Sequence, residues 1–143
     1  LLAPAGLKRL GAESEAAALF DLEAFPPALG QGAIAIETRE NDREANRLVA
    51  AINHPDTAAA LACERAFLTV LDGSCRTPIA GHAHIRDGRL RFRGLVVSPD
   101  GQTAFETTRD GDPADAAQIG RDAGEEIVDS AGEAFLATLR SAH

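Results

Sequence analysis

The sequence predicts an α+β fold for residues 55–143: a three-stranded antiparallel sheet with helices on one face. Three observations carry this expectation. The apolar period is 3.6 over residues 57–71 and changes to 2 over residues 79–97. Asp87-Gly88, set between two alternating runs, is a two-residue hairpin signal, and Pro99-Asp100-Gly101 turns the chain back once more. Beyond residue 112, small apolar residues recur at helical spacing, which suits a helix laid closely on a sheet. Residues 1–54 lack such a closed pattern and read as partial segments.

Composition narrows the class. A chain of 143 residues and 14.9 kDa is long enough for one domain with a proper core, or for one small domain plus pieces of others; the second is expected here. Fourteen Lys+Arg against 22 Asp+Glu give a formal charge of -8, which argues against a nucleic-acid surface or a polybasic membrane patch. No apolar run approaches the roughly 20 residues that span a bilayer, and no basic-then-apolar leader opens the chain. The two cysteines, Cys63 and Cys75, form no disulfide framework and do not match a zinc ligand pair. Reduced thiols in the cytoplasm are the simplest account. The opening at Leu1, inside an apolar stretch, is expected of the tail of a longer protein.

In chain order, residues 1–11 hold too many breakers for a stable helix and too much Leu for a free linker, so they should dock on something else. Residues 13–22 form a weak acidic segment, and Phe25-Pro26-Pro27 an extended connector. Gly30-Gln31-Gly32 precedes a plausible strand over residues 33–39. A dinucleotide fingerprint needs strand, glycines, helix, so the glycine pair reads as a tight bend where the chain crosses between domains. Arg39 closes that strand and points either into a cleft or into water. Residues 42–52 show a short helix with Ala45, Leu48, Val49 and Ile52 on one face. Asn53-His54-Pro55 breaks it, and the domain boundary is placed there, with Asp56 or Thr57 capping the next helix.

That helix, residues 57–71, is apolar over more than half its circumference. Cys63 falls inside the arc and reads as core. Glu64 falls inside it too, where it either hydrogen-bonds nearby backbone, pairs with an Arg, or sits at an edge that reaches solvent. The hairpin register that follows pairs Ile85 with Leu90 and Ala83 with Phe92 on the inner face. His84 then faces Arg91 and His82 faces Arg93 outside. Phe105 and Thr107 fall on the inner face of a third strand over residues 103–109. His82 and His84 could share a metal, yet no further ligand is spaced to complete a site, and a solvated His/Arg face is expected. Asp112-Pro113 starts a helix with the stripe Ala116, Ile119, Gly120, Ala123, Ile127 and Val128, and Gly132 separates a last short helix.

Between helix and sheet lies Asp72-Gly73-Ser74-Cys75-Arg76-Thr77-Pro78-Ile79. Gly73 is placed to take the left-handed conformation that stops the helix, and Pro78 holds Thr77 extended. Two readings of Cys75 stand: a small half-buried residue in a turn, or a presented thiol whose thiolate Arg76 favours.

Together, Gly6-Leu7-Lys8-Arg9-Leu10-Gly11, Gly30-Gln31-Gly32-Ala33, Ile36-Glu37-Thr38-Arg39, Asn53-His54, Cys63-Glu64-Arg65-Ala66-Phe67 and the thiol loop resemble the C-terminal half of the porphobilinogen deaminase (hydroxymethylbilane synthase) family. The resemblance runs through essentially the whole chain. Where the family more typically carries Gly-Gly-Cys, Ser74 takes the middle place. The resemblance implies a cytoplasmic transferase of haem biosynthesis that condenses four porphobilinogen molecules, with loss of ammonia, into a linear tetrapyrrole. It implies a dipyrromethane cofactor held through a thioether to Cys75, with Arg9 and Arg39 binding the acetate and propionate arms of the cofactor and the growing oligopyrrole. It also implies that residues 1–54 are remnants of two α/β domains, the end of domain two and the return into domain one, ahead of a cofactor-anchoring domain at 55–143. The family's acid/base Asp belongs to an N-terminal part outside this chain, so no catalytic residue and no metal ligand is expected here. The chain alone is expected to be inactive. The alternatives are a non-catalytic thiol-bearing module, redox-sensing or partner-binding through the His/Arg face, and a purely structural domain.

Overall fold

The computed structural model describes residues 2–72 and 77–141. The first element is a helix, α1 (Pro4–Leu10), where the sequence suggested breakers. Pro4 stands in the first turn, where its missing N–H is not needed, and Gly11 follows the last turn at φ 65. The amides of Gly11 and Ala12 bond the carbonyls of Lys8 and Leu7 at 3.1 and 3.0 Å, a Schellman closure. The supposed breakers are a start and a stop. A short 3-10 turn (Glu13–Glu15) follows, and Phe20 stacks on Phe25 at 5.0 Å.

Residues 33–39 form no strand. Their alternation is real, but a strand exists only with a partner ladder, and the described residues supply none. Ile34 is 95% exposed. Helix α2 (Arg43–Ala50) forms as expected, with the Asp42 side chain accepting the Ala45 amide at 2.9 Å. Its apolar face is uncovered at Leu48, and Ile52, just beyond its end, is exposed as well.

Helix α3 (Pro55–Val70) begins at the proline rather than after it. Pro55 fits the first helical position, so the cap falls on His54, whose Nδ1 accepts the Thr57 amide at 3.3 Å, and not on Asp56 or Thr57. The sheet is β1 (Ile79–Arg86), β2 (Arg89–Val97) and β3 (Ala104–Gly111), in the order β1-β2-β3 and antiparallel throughout. Asp87 and Gly88, at φ 54 and 73, make the tight hairpin, and the register pairs Ile85 with Leu90, Ala83 with Phe92, His84 with Arg91 and His82 with Arg93, as the sequence indicated. β3 starts one residue later than expected and runs on to Gly111.

A 3-10 turn (Pro113–Asp115), capped by Asp112, leads into α4 (Ala116–Ser141), which is broken at Gly132 (φ 75, ψ 158). α3 and α4 cover the inner face of the sheet. Phe67 meets Phe92 edge-on at 5.0 Å, and Leu90, Val96 and Ile127 close around them. Gly120 lets α4 lie directly on α3: a Cβ there would stand 2.1 Å from the Cys63 carbonyl oxygen. Buried Thr107 donates from its hydroxyl to Glu126 at 2.7 Å, tying β3 to α4. Among the described residues, no helix is long and apolar enough to cross a membrane.

Candidate functional site

The thiol loop joins the end of α3 to the start of β1, so the core fixes both its ends. On the helix side the Leu71 amide bonds the Phe67 carbonyl at 3.3 Å, and the Leu71 side chain is buried. The left-handed residue that ends the helix is Asp72, at φ 49. On the sheet side the Ile79 amide bonds the Thr77 carbonyl at 2.7 Å, and the Val97 amide bonds the Pro78 carbonyl at 3.0 Å. Gly73, Ser74, Cys75 and Arg76 themselves lie outside the described residues. The other cysteine is chemically quiet. Cys63 is wholly buried, and desolvation, reinforced by the neighbouring Glu64 charge, pushes its thiol up to about 12.

Arg9 lies in the last turn of α1 and Arg39 follows the extended segment; both are exposed. Neither guanidinium makes an ion pair among the described residues. Neither lines the two clefts described below. The Arg39 carbonyl is held by the Asp42 amide at 3.0 Å and by Asn46, on α2. Its Nδ2 donates to the Arg39 and Glu40 carbonyls at 3.3 and 3.0 Å, and its Oδ1 accepts from the Thr38 hydroxyl at 2.5 Å. Sequence reasoning passed over Asn46; the available signal was an Asn inside a helix, where its side chain competes for backbone groups.

The outer face of the sheet carries a cleft of about 660 Å³ lined by His82, His84, Arg86, Arg91, Asp110 and Glu23, among others. The two imidazoles stack at 5.4 Å. The His84 Nδ1 is buried with no hydrogen-bond partner among the described residues. Burial, then His82, with Arg91 and Arg86 behind it, lowers the His84 pKa, while Glu23 acts the other way. The arginines expected to face solvent are engaged. Arg93 holds Glu106 through two bonds of 2.6 and 2.9 Å and also bonds the Glu23 carbonyl; Arg91 lies 3.4 Å from Asp110, which Arg89 also grips. These acids come from β3, whose register on β2 the sequence reading did not extend to the outer face. Among the described residues no group of three or more ligating side chains could hold a metal.

A smaller cleft of about 400 Å³ separates the Gly30-Gln31-Gly32 bend from the start of α3 and from β1. At its floor Glu64, buried at 6% exposure, accepts the Gly30 amide at 2.7 Å and the Ala83 amide at 2.8 Å. The sequence reading offered three fates for this carboxylate. Backbone hydrogen bonding is the one found, with donors far away in the chain.

Known proteins match along this whole layout. The family model "Porphobilinogen deaminase, dipyromethane cofactor binding domain" matches residues 1–47, which include Arg9 and Arg39. The model "Porphobilinogen deaminase, C-terminal domain" matches residues 58–129, which include most of α3, the thiol loop and the sheet. Proteins named porphobilinogen deaminase from Nitrobacter winogradskyi and Nitrobacter hamburgensis are each 51% identical over 142 residues, 99% of this chain and 45% of theirs. The chloroplastic porphobilinogen deaminase of Pisum sativum is 50% identical over 139 residues, 95% of this chain and 38% of its own. The chain thus spans less than half the length of these curated relatives. Matched in both of its segments, it belongs to the porphobilinogen deaminase family.

Proposed function

We propose that this chain is the C-terminal part of a cytoplasmic hydroxymethylbilane synthase, a transferase that condenses four porphobilinogen molecules into a linear tetrapyrrole with loss of ammonia. The observation that carries this reading is the 51% identity, over 99% of the chain, to proteins that bear the deaminase name. Cys75 anchors the dipyrromethane through a thioether, and the residues that flank its loop, Leu71-Asp72 and Thr77-Pro78, are tied to the rest of the domain by backbone hydrogen bonds. The donor chemistry of this chain fits such a group. Arg9 and Arg39 present planar, permanently charged forks free of other ion pairs among the described residues, which suits carboxylate arms. When bound, the dipyrromethane supplies the primer on which the pyrrole chain is extended. The chain's own residues bind and orient: Arg39 is held by Asn46, and Arg9 closes α1 beside Lys8.

The exposed apolar side chains of residues 2–52 are covered by the N-terminal part of the longer protein, which also brings the acid/base group. The 143-residue chain by itself is therefore inactive. The partner-binding reading loses Arg91 and Arg93 to internal acids.

The test is the mass of the Cys75-containing peptide from the full-length protein after strong reductant. An added mass of two linked pyrrole units is expected. A bare thiol in folded, complete material would leave only a shared fold. Porphobilinogen turnover by the 143-residue chain alone would overturn the claim of inactivity.

A further inference from the structure

We infer that Glu64 is a positioning residue: it latches the segment that leads to Arg39 onto the helix that carries the thiol loop, so that the two halves of the proposed site are held as one piece. The inference rests on the functional reading above and names a residue to which that reading gives no role.

A carboxylate in the apolar arc of α3 is costly unless its oxygens meet donors. Glu64 meets two, one on each oxygen, and they come from different places. The Gly30 amide, from the bend ahead of Arg39, reaches Oε2 at 2.7 Å; the Ala83 amide, from the middle of β1, reaches Oε1 at 2.8 Å. His82 Nδ1 lies 3.9 Å from Oε1. α3 runs from Glu64 directly to the thiol loop, and β1 leaves that loop on its other side. One side chain therefore fixes the bend, the helix and the strand together.

Little else does so near Arg39. The strap before the bend is attached by the Gly81 amide, which bonds the Pro27 carbonyl at 2.9 Å, and by Leu29, which packs against the core. Past Gly30 the chain passes over the 400 Å³ cleft. From residue 31 to residue 52, all the hydrogen bonds among the described residues are local. Glu64 is thus the last fixed point before Arg39.

Glu64→Gln tests this. An amide side chain has one carbonyl oxygen, so one of the two backbone donors then faces an NH₂ group and loses its acceptor. Hydrogen exchange in the 143-residue chain should quicken roughly tenfold at residues 28–33 and 81–84, while β2, β3 and α4 keep their protection. In the full-length enzyme, still carrying its Cys75 adduct, the KM for porphobilinogen should rise about tenfold and kcat fall less. A merely structural role would lower the folded fraction, reducing apparent kcat with KM unchanged. Unchanged exchange at 28–33, or an unchanged KM, overturns the latch. If the Gln variant does not fold, Leu29→Ala loosens the same strap without touching the carboxylate; it should raise KM as well, and an unchanged KM there also overturns the proposal. A wild-type protein without the adduct would instead defeat the functional reading while leaving the exchange result to stand for the latch.

Discussion

Residues 2–52 are no poorer in apolar side chains than residues 55–139, yet the two regions treat them in opposite ways. In the second region Cys63, Phe67, Leu90 and Val96 are fully buried between two helices and a sheet. In the first, Leu10, Leu19, Ile34, Leu48 and Ile52 all stand open, Ile34 at 95% and Ile52 at 69%. Local signals work alike in both: Asp42 caps α2 as Asp112 caps the turn before α4, and Gly11 closes α1 with the expected backbone bonds. Capping and periodicity shape an element, but they do not give it anything to pack on. Amphipathic α2 leaves Leu48 of its apolar face exposed and Ala45 and Val49 only half-buried, and the 33–39 alternation is a strand pattern without a ladder.

The largest test of this contrast is a pair of truncations. Phe67→Ala removes a ring that fills the space between α3, Phe92 and Gly94, and should cost about 3–5 kcal/mol of unfolding free energy. Ile34→Ala, in the chain as it stands, should change stability by no more than about 0.5 kcal/mol. Denaturant midpoints of the two variants check this; an Ile34→Ala cost near that of Phe67→Ala would show the first region to be packed after all. In the full-length protein the Ile34 cost should grow, since the proposed covering would then be present.

Next in size is overpacking. Gly120→Ala drives a methyl to within 2.1 Å of the Cys63 carbonyl oxygen, which is backbone and cannot swing aside, so α3 and α4 must separate. A loss of about 1–3 kcal/mol or more is expected. Gly32→Ala meets nothing within 4 Å and should be close to neutral, again within about 0.5 kcal/mol. Thermal unfolding of the two variants decides it.

A chemical contrast follows inside the second region itself. With its thiol pushed up to about 12, Cys63 carries almost no thiolate near pH 8 and is shielded besides. Alkylation of adduct-free native chain should therefore modify Cys75 and spare Cys63 until the protein unfolds. Peptide mapping after a timed iodoacetamide pulse reads this directly. Equal labelling of both cysteines in the native state would mean that α3 and α4 open together far more readily than their packing suggests.

Much of the second region was legible because its determinants are near one another in sequence. Asp87-Gly88 fixed a two-residue turn, and the turn fixed every pairing from Ile79 to Val96. The small residues of α4 declared its close face. What escaped were the long-range matches: Glu64 with Gly30 and Ala83, Arg93 with Glu106 and the Glu23 carbonyl, Asn46 with Thr38 and Arg39. A lone sequence shows that Glu64 needs donors, but not which amides fold supplies. The strand over 33–39 and the helixless start at residues 1–11 failed for opposite reasons. One had the right pattern and no partner; the other had proline and glycine, read as breakers, standing at a helix's two ends. Arg9 and Arg39 were singled out only by the family resemblance, since nothing in their local spacing distinguishes them from other exposed arginines.

The smallest effect sits where the two regions meet, at His84. Its ring stacks on His82 and lies near Arg86 and Arg91 from the second region, with Glu23 the opposing charge from the first. Burial is the main cause that lowers its pKa from the ordinary 6.5, and the neighbouring positive groups add to it. The folded state therefore binds a proton less readily than the unfolded chain. Its contribution to stability is fully present above pH 6.5 and is lost as pH falls from there through the lowered folded value. Carboxylates do not confuse this window. Asp100, Glu106 and Glu126, lowered by bonds from Ser98, Arg93 and Thr107 respectively, lose their contribution only below their ordinary values of 3.8, 4.5 and 4.5. Unfolding free energy should thus decline between pH 7 and 5 with a slope of at most about one proton, and His84→Gln should flatten it. Glu23→Gln, which removes an acid that favours the charged ring, should steepen it instead. A slope that neither variant changes would mean that the two regions do not meet at this imidazole in solution.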